Sequence, residues 1–432
     1  MNRTILRLAI PNILTNLSVP LLGIVDTALM GHLDSPIYLG AVAIGGTIFS
    51  FLYWGFGFLR MGTTGLAAQA FGEKDTAKQS LILTHALGVA LLASVLLIVF
   101  QIPIANLSFW LIPGEVDIIE QARIYFFIRI YAAPATISTY SLNGWFFGMQ
   151  NARIPMILAI IGNVVNIGLS VLFVIQFDMG VAGVAWATVI SQYVTVALAI
   201  LFFSLYYAKG LELPSRKAIL DVPALYRFFS VNVDIFIRTV CLIFVFAFFT
   251  AQSSILGPII LAANQVVRQF QEVMAYGVDG FAFATESLVG RFMGAKDEEK
   301  LKESLKLLFY WGVGVGVFFA VTFAVAGDAF LNVFTDQKDV IEIAQNYVTW
   351  IIFISLGASV AFMLDGAFIG ATASKAMRNT MLFSPYVVFL PTYYVRLPYL
   401  EDHALWFAML MFMLGRSASM GVLAKKYLRI SP

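Results

Sequence analysis

Apolar runs of roughly 20 residues, the length that crosses the hydrocarbon core of a bilayer, recur along the whole chain. Short polar connections separate these runs, and none of the connections is long enough for a soluble domain. The pattern predicts an all-α, polytopic membrane protein with twelve transmembrane helices. The predicted spans are residues 8–32, 38–62, 79–101, 120–148, 154–176, 181–207, 225–250, 258–290, 303–326, 340–371, 379–397 and 403–426.

The composition agrees with this pattern. Of the 432 residues, 60% are hydrophobic and only 12% are charged. A soluble protein needs charged residues to cover its surface, and about 25% is usual. A chain this apolar needs lipid as its solvent.

The distribution of Lys and Arg predicts how the helices are oriented. These residues are concentrated at both termini and in every second connection, for example at Lys74, Lys296 and Arg378. The intervening connections carry few, with Lys338 and Arg396 as the main exceptions. By the positive-inside rule both termini are then cytoplasmic, which requires an even number of helices in the inner membrane. The apolar N-terminus has no signal-peptide cleavage site, so we expect it to be retained as the first helix.

An internal repeat divides the chain into two halves. The longest polar connection, residues 208–224, predicts an N-terminal six-helix lobe at 1–207, a cytoplasmic linker, and a C-terminal six-helix lobe at 225–432. At an offset of about 222 residues, LGAVA (39–43) matches LAANQ (261–265), GEKDTAKQSL (72–81) matches GAKDEEKLKESL (294–305), and LNGWFFG (142–148) matches LDGAFIG (364–370). Because an even number of helices separates the copies, we expect the two six-helix bundles to be related by a pseudo-two-fold axis along the membrane normal.

One carboxylate, Asp26, lies within the first predicted helix, where a charge costs about 2.5–3.5 kcal/mol or more. A stripe of polar and small residues repeats at helical spacing on this helix: Asn12, Asn16, Gly23 and Thr27. Pro20 should kink the helix. One interpretation is a carboxylate in a lobe cavity that pays for desolvation when charged, and so exchanges H+ near neutral pH. The alternative is a helix-end carboxylate that reaches the outer membrane surface.

Small polar residues continue in the fifth and sixth helices, at Asn163, Asn166, Ser170 and Thr188. Asn166 and Ser170 are four residues apart and share a face. These residues either contribute to a binding site with Asp26 or form hydrogen bonds between neighbouring helices, which is common in membranes.

The second half carries more charge inside its predicted helices. Asp234 and Arg238 are four residues apart, and we expect them to pair with each other or with neighbours. Three further acids, Asp279, Glu286 and Asp365, define a candidate polar site of the second lobe. For Glu286 and Asp365, two roles remain open: an internal salt bridge with Arg129 or Arg238, and the binding of substrate or protons.

Signals for enzymes, cofactors and metals are weak. The three histidines are scattered, and the single cysteine, Cys241, lies in an apolar run. The glycine pairs lie within apolar helices and not in nucleotide-binding contexts. We therefore expect no enzymatic activity, no cofactor, no metal site and no nucleic-acid partner, and an ion gradient as the energy source.

These features resemble the multidrug and toxic compound extrusion (MATE) family, and more closely its DinF-like branch. The resemblance covers essentially the whole chain. It rests on the segment VDTALMGHL, on the acidic and basic connection after the second helix, and on NVDIFIRT (232–239), VDGFAFATE (278–286) and LDGAFIGATASKAMRNTM (364–381). The family implies antiport, in which H+ or Na+ enters as an organic, often cationic, compound leaves through a V-shaped cleft between two six-helix bundles.

The resemblance also implies roles for individual residues. Asp26 is similar to the coupling aspartate of the family's first helix, and Asn166 and Thr188 are similar to its partners in the N-terminal lobe. Many relatives have a second aspartate where this chain has Ser170. That difference removes a hard anionic ligand, which weakens a Na+ site and favours protonation of Asp26. Asp365 matches the tenth-helix acid of several members.

The function predicted from the sequence is H+-coupled export of small organic compounds by a monomeric antiporter. One alternative is Na+-coupled export. Another is a flippase for lipid-linked precursors or polysaccharides, whose cavities tend to hold several arginines for pyrophosphate. Here the arginines of the membrane segments are few and lie near acids in the sequence, which disfavours a flippase. A structural or signalling membrane protein would not need acids within both lobes.

Overall fold

The computed structural model of the protein describes residues 1–31 and 35–430, and these residues form helices and connections without a strand. Asp34 and the last residue of the first predicted span, residue 32, lie outside the described residues. The helices are α1 (Asn2–Gly31), α2 (Pro36–Trp54), α3 (Gly57–Glu73), α4 (Thr76–Val99), α5 (Gln101–Leu111), α6 (Val116–Arg129), α7 (Ala133–Gly148), α8 (Arg153–Val171), α9 (Gly180–Tyr206), α10 (Arg216–Ile219), α11 (Val222–Leu256), α12 (Pro258–Gly294), α13 (Glu298–Phe334), α14 (Lys338–Gly370), α15 (Ser374–Phe383), α16 (Leu390–Leu400) and α17 (His403–Tyr427).

Within the described ranges these helices make twelve long segments, as the apolar pattern predicts. Three segments consist of two helices each: α2 with α3, α6 with α7, and α15 with α16. A 3-10 turn (Ile130–Ala132) joins α6 to α7, and a π-helical segment (Ser384–Phe389) joins α15 to α16. The short helices α5 and α10 lie in connections. Eight of the described segments are long and apolar enough to cross a membrane by length and composition alone.

Several segments are longer than the apolar pattern indicates. The pattern for α13 predicts residues 303–326, but the helix begins at Glu298, where the Asp297 side chain caps it by accepting from the Lys300 N–H. Hydropathy marks only the part of a helix that lies in lipid, whereas the helix continues into water until a capping residue or a break ends it.

The structure divides into two compact units, one of residues Leu14–Phe228 and one of Met1–Ile13 with Phe229–Pro432. In the unit Leu14–Phe228, α3 and α4 pack on α7, α2 packs on α6, and α8 packs on α9. The connecting helix α10 belongs to this unit, where His85 Nε2 of α4 lies 2.9 Å from the Ile219 carbonyl oxygen.

In the second unit, α14 is central and packs on α12, α13 and α17. A buried polar chain links the helices here, because Trp406 Nε1 donates to Asn264 Oδ1 at 2.7 Å and Asn264 Nδ2 donates to Ser253 Oγ at 2.8 Å. Each of these buried polar groups thus has a partner, as an apolar environment requires.

The internal repeat is visible in the backbone of the two units. After α3, Lys74 adopts a left-handed conformation (φ 59°) and Asp75 caps α4; after α12, Lys296 does the same (φ 55°) and Asp297 caps α13. The residue types that the two connections share therefore form the same turn.

The repeated glycines lie where two helices touch. A Cβ atom at Gly144 of α7 would stand 2.4 Å from the Arg60 carbonyl oxygen of α3. A Cβ atom at Gly366 of α14 would stand 2.4 Å from the Ala282 carbonyl oxygen of α12. Both contacts are with backbone, so no side-chain movement can relieve them. The repeat is conserved within this chain at these positions because only glycine permits the close approach.

We expect Gly144→Val to destabilise the folded protein by about 1–3 kcal/mol or more, because the added side chain must separate α7 from α3. The matched control is Gly88→Val on α4, where a Cβ atom meets nothing within 4 Å. The thermal unfolding midpoint of each variant in detergent, followed by tryptophan fluorescence, measures the effect. Equal midpoints for the two variants would contradict the close helix contact.

Candidate functional site

The predicted N-terminal polar residues form one buried cluster between α8 and α9. Asn166 Nδ2 donates to Thr188 Oγ1 at 3.1 Å and lies 3.3 Å from Ser191 Oγ. Ser170 Oγ donates to Asn166 Oδ1 at 3.4 Å. Spacings of three and four residues place these side chains on facing sides of the two helices. The structure therefore brings together Asn166, Ser170 and Thr188, and adds Ser191.

Asp26 lies near the end of α1 and is not hydrogen-bonded to this cluster in the described structure. Its Oδ1 atom is buried and has no hydrogen-bond partner among the described residues. The charged group that acts on it electrostatically is Arg129 of α6. A buried carboxylate oxygen without a donor is costly when ionised, and such atoms are uncommon in folded proteins.

One hydrogen bond connects the helix of Asp26 to the helix of Asn166. Asn163 Nδ2 of α8 donates to the Ser18 carbonyl oxygen of α1 at 3.1 Å. Of the predicted stripe on α1, Asn12 is buried and donates to the Leu8 carbonyl oxygen, whereas Thr27 is exposed. Asn12 belongs to the other compact unit.

In the second unit, Asp365 pairs with two arginines. Its Oδ2 atom accepts from Arg238 and, at 2.5 Å, from Arg416. Arg416 of α17 is fully buried, and its guanidinium lies over the rings of Phe412 and Phe362. Of the two roles open for Asp365, the internal salt bridge with Arg238 is present. The expected alternative partner, Arg129, has its described contacts within the unit Leu14–Phe228.

Asp234 and Arg238 do not pair with each other, and each pairs with neighbours instead. Asp234 Oδ1 lies 2.7 Å from Arg378 Nη1, and its Oδ2 accepts from Ser374 Oγ at 2.8 Å. Arg378 and Ser374 both belong to α15, so the contacts of Asp234 join α11 to α15. Arg238 joins α11 to α14 through Asp365, and Asp365 also joins α14 to α17. Helical spacing alone could not choose between a local pair and these longer-range partners.

The remaining acids of the candidate second-lobe site both lie on α12. Asp279 acts electrostatically on Arg416, which places it beside the Asp365 cluster. Glu286 is buried, with 2% of its surface exposed, and it is not without an interaction partner. Across the described residues, no group of three or more His, Cys, Asp and Glu side chains could hold a metal ion.

Sequence reasoning missed three features of these sites. Arg416 is a charge within an apolar span, and that position alone was sufficient reason to include it. Ser191 follows Thr188 by one helical turn and so had the same signal as the residues selected. The π-helical segment Leu172–Gln176, which directly follows α8, has no signal in the apolar pattern. Such segments often occur at functional sites.

Comparison with known proteins defines the class. The MatE family model matches residues 11–172 and 235–395, one match in each half of the chain. The chain therefore belongs to the MatE family, whose members are membrane transporters and not enzymes. It is 36% identical over 429 residues to DNA damage-inducible protein F of Escherichia coli (strain K12), which covers 99% of this chain and 93% of that protein.

More distant relatives and a solved structure are also similar to this protein over most of the chain. The multidrug resistance protein NorM of Aliivibrio fischeri is 24% identical over 90% of this chain and 86% of its own length. The human multidrug and toxin extrusion protein 1 is 27% identical over 90% of this chain and 68% of its own. The outward-facing structure of a multidrug resistance MATE family transporter matches with a TM-score of 0.86 at 18% identity, over 98% of this chain and 95% of that one. The fold is thus the MATE fold of twelve helices in two bundles.

We expect Asp365→Asn to destabilise the protein by about 3–5 kcal/mol, because it leaves two buried arginines without their anion. The matched control is Glu298→Gln, which removes an exposed ion pair with Lys302 and should cause no measurable loss. Chemical denaturation of the purified variants in detergent measures the difference. An Asp365→Asn variant as stable as the control would show that the pair does not hold these helices.

Proposed function

We propose that the protein is a secondary antiporter that exports small organic compounds, often cations, in exchange for H+ entry by alternating access. Asp26 is the coupling carboxylate, and Asn166, Ser170 and Thr188 complete the cation-coupling site. The observation that carries this proposal is the buried Oδ1 atom of Asp26, which has no hydrogen-bond partner in the described structure. Protonation removes the charge from a group that is poorly satisfied when ionised.

The spacing along the helices supports a common site. Asp26 follows Ser18 by eight residues, and Ser170 follows Asn163 by seven, while Asn163 bonds to Ser18. At 1.5 Å per residue these distances are about 12 Å and about 10 Å. With α1 and α8 parallel, as the predicted topology requires, Asp26 and Ser170 are at similar depth. We propose that a movement of this part of α1 towards α8 brings Asp26 to the cluster.

The chemistry of the cluster favours H+ over Na+. Asn166, Ser170, Thr188 and Ser191 are neutral, and their oxygens take part in hydrogen bonds with one another or with backbone carbonyls. Na+ is a hard cation and prefers several oxygen ligands with anionic character. Here a single carboxylate, Asp26, supplies the negative charge, which is sufficient for one proton.

The second-lobe acids Asp279, Glu286 and Asp365 have a supporting role in this proposal. Asp365 fixes α11 and α17 to α14 through two guanidinium groups, and Asp279 adds charge beside Arg416. Such a network has discrete arrangements and can favour one conformation over another. We propose that these acids affect conformational exchange and, through it, the range of substrates.

The names of the relatives support organic substrates, since they include multidrug resistance and multidrug and toxin extrusion proteins. A flippase for lipid-linked pyrophosphates is less well supported. Such a cargo needs arginines that remain available to phosphate oxygens. Arg238 and Arg416 are instead engaged with Asp365, and Arg378 with Asp234.

We propose that the protein acts as a monomer in the inner membrane, with both termini in the cytoplasm. In a Cys241→Ala background, a cysteine at Ser215 should react with impermeant maleimide only after the cytoplasmic side is opened. A cysteine at Glu115 should react in intact cells. Both positions are exposed in the structure, so lack of reaction reports sidedness and not burial. The opposite accessibility at either position would contradict the topology.

Asp26→Asn should abolish ethidium export driven by a pH gradient, because the amide mimics the protonated state and cannot release H+. The measurement is ethidium fluorescence in everted membrane vesicles with pH and Na+ gradients imposed separately. The matched control is Asp117→Asn at the exposed start of α6, which should export at the wild-type rate.

Two results would reject parts of this proposal. Export by Asp26→Asn at the wild-type rate would show that Asp26 is not the coupling carboxylate. Wild-type export driven by a Na+ gradient at equal pH on both sides would show that H+ is not the coupling ion.

A further inference from the structure

The linker between the two halves of the chain is held in place at both of its ends. Just before it, the Tyr207 hydroxyl accepts from Asn151 Nδ2 at 3.0 Å. Near its end, the Ile219 carbonyl oxygen lies 2.9 Å from Nε2 of His85, whose side chain is buried. All four residues belong to the unit Leu14–Phe228. The linker therefore has a fixed position on this unit.

The linker carries more positive than negative charge. Its cations, Lys209, Arg216 and Lys217, are all exposed, and within the described ranges none of them has an ion-pair partner. Its acids are Glu212 and Asp221. Asp221 is already engaged, because its Oδ2 atom accepts a backbone N–H at the start of α11 at 3.1 Å. Positive charge is thus available to an anion from outside the chain.

Two of these cations line an open groove of about 530 Å³, which we call the linker groove. The residues that line it are Arg216, Lys217, Leu220, Asp221, Val222 and Pro223. Leu220 and Val222 are each 72% exposed, and Leu213, earlier in the linker, is 94% exposed. Apolar side chains of this size are unfavourable in water. The groove therefore combines cations with apolar surface that lacks a partner within the described chain.

The lengths of the neighbouring helices place this groove at the membrane surface. The helix before the linker, α9, has 27 residues and ends at Tyr206. At 1.5 Å per residue it is about 40 Å long. A bilayer with its headgroup regions is about 40–45 Å thick. Since the next membrane helix, α11, begins at Val222, the groove lies at the level of the lipid headgroups.

We propose that the linker groove binds an anionic phospholipid, with its phosphate at Arg216 and Lys217 and the first part of an acyl chain along Leu220 and Val222. Guanidinium and ammonium groups are the usual partners of phosphate oxygens. Basic residues next to a membrane helix attract anionic lipids of the cytoplasmic leaflet, which is the side predicted for this linker. The lipid connects the linker to the membrane surface.

Other anions match fewer of these features. Inorganic phosphate would engage the two cations and leave the apolar side chains in water. An acidic protein would have to displace lipid headgroups to reach a groove at this level. The groove shares no residue with the proposed coupling site of Asp26, so its test is independent of the proposed transport function.

The test follows lipid binding at the linker itself. In a Cys241→Ala background, Leu213→Cys is labelled with bimane, and the full-length protein in a neutral detergent is titrated with brominated phospholipids that quench bimane at short range. Residue 213 precedes Arg216 by three residues, so the two lie at most about 11 Å apart. Phosphatidylglycerol should quench at about tenfold lower concentration than phosphatidylcholine with the same acyl chains, because only its headgroup has a net negative charge.

The charge reversal of this preference uses a double variant, Arg216→Gln with Lys217→Gln. Its half-quenching concentration for phosphatidylglycerol should rise about tenfold or more, since each basic residue at an anionic surface contributes about fivefold in affinity. Both side chains are exposed, so the variant should fold, and its thermal unfolding midpoint checks this.

The matched control is Lys425→Gln with Lys426→Gln at the end of α17. This pair is also basic, exposed and on the predicted cytoplasmic side, but it does not line the groove. Quenching in the control should equal that of the wild type. Leu220→Gln keeps both cations and should weaken phosphatidylglycerol binding severalfold, because it removes apolar contact with the acyl chain.

Four results would overturn the proposal. They are equal quenching by the two lipids, no quenching by either, an unchanged half-quenching concentration in the double variant, and an equal rise in the double variant and the control. Inorganic phosphate at the concentration of the lipid should not relieve the quenching. Relief by phosphate would show a site for small anions and would likewise exclude a phospholipid site.

Discussion

A charge inside a bilayer must be paired, be neutralised by a proton, or reach water, because hydrocarbon does not solvate it. Both units of this protein meet that requirement, and they do so in different ways. In the unit that contains α12 and α14, Asp365 is bound by two guanidinium groups, and Asp234 by Arg378 and Ser374. These contacts hold four helices through charges that compensate one another.

In the unit Leu14–Phe228, Asp26 lacks such a bond on one of its oxygens. The polar cluster of α8 and α9 in the same unit is neutral and satisfied by its own hydrogen bonds. The charge of Asp26 is therefore compensated incompletely, and a proton is the simplest group that can complete the compensation. One unit has a fixed electrostatic bond, and in the proposed function the other unit has a group that changes its charge.

The internal repeat shows how one scaffold carries two such arrangements. The glycines at 144 and 366 and the turns at Lys74 and Lys296 keep the same backbone in both copies. At the same offset of 222 residues, Asn143 corresponds to Asp365, and Asn12 and Asn16 correspond to Asp234 and Arg238. The copies thus share the close helix contacts and differ in charge. Amides in one copy stand where the other copy has ion pairs.

The sequence was sufficient to predict the fold because apolar length and the Lys and Arg distribution depend on position along the chain. It was also sufficient to select Asp26 and Asp365, since a charge within an apolar span is visible without a structure. The ion-pair partners of these charges could not be predicted from the sequence in the same way. Asp234 binds Arg378, 144 residues away, and not the local Arg238, and only tertiary packing decides between them. The guanidinium of Arg129 lies over the ring of Phe49, and this contact depends on the approach of α2 to α6, which has no signature in periodicity.

The central claim is that Asp26 exchanges a proton for an organic cation. The most direct measurement is the release of H+ when ethidium is added to purified protein in a weakly buffered detergent solution, followed with a pH-sensitive dye. We predict release of about half a proton per bound ethidium at the pH midpoint of Asp26, approaching one at lower pH, and none from Asp26→Asn, because one carboxylate holds at most one proton. Equal proton release from Asp26→Asn, or ethidium binding to the wild type without proton release at that pH, would contradict the account.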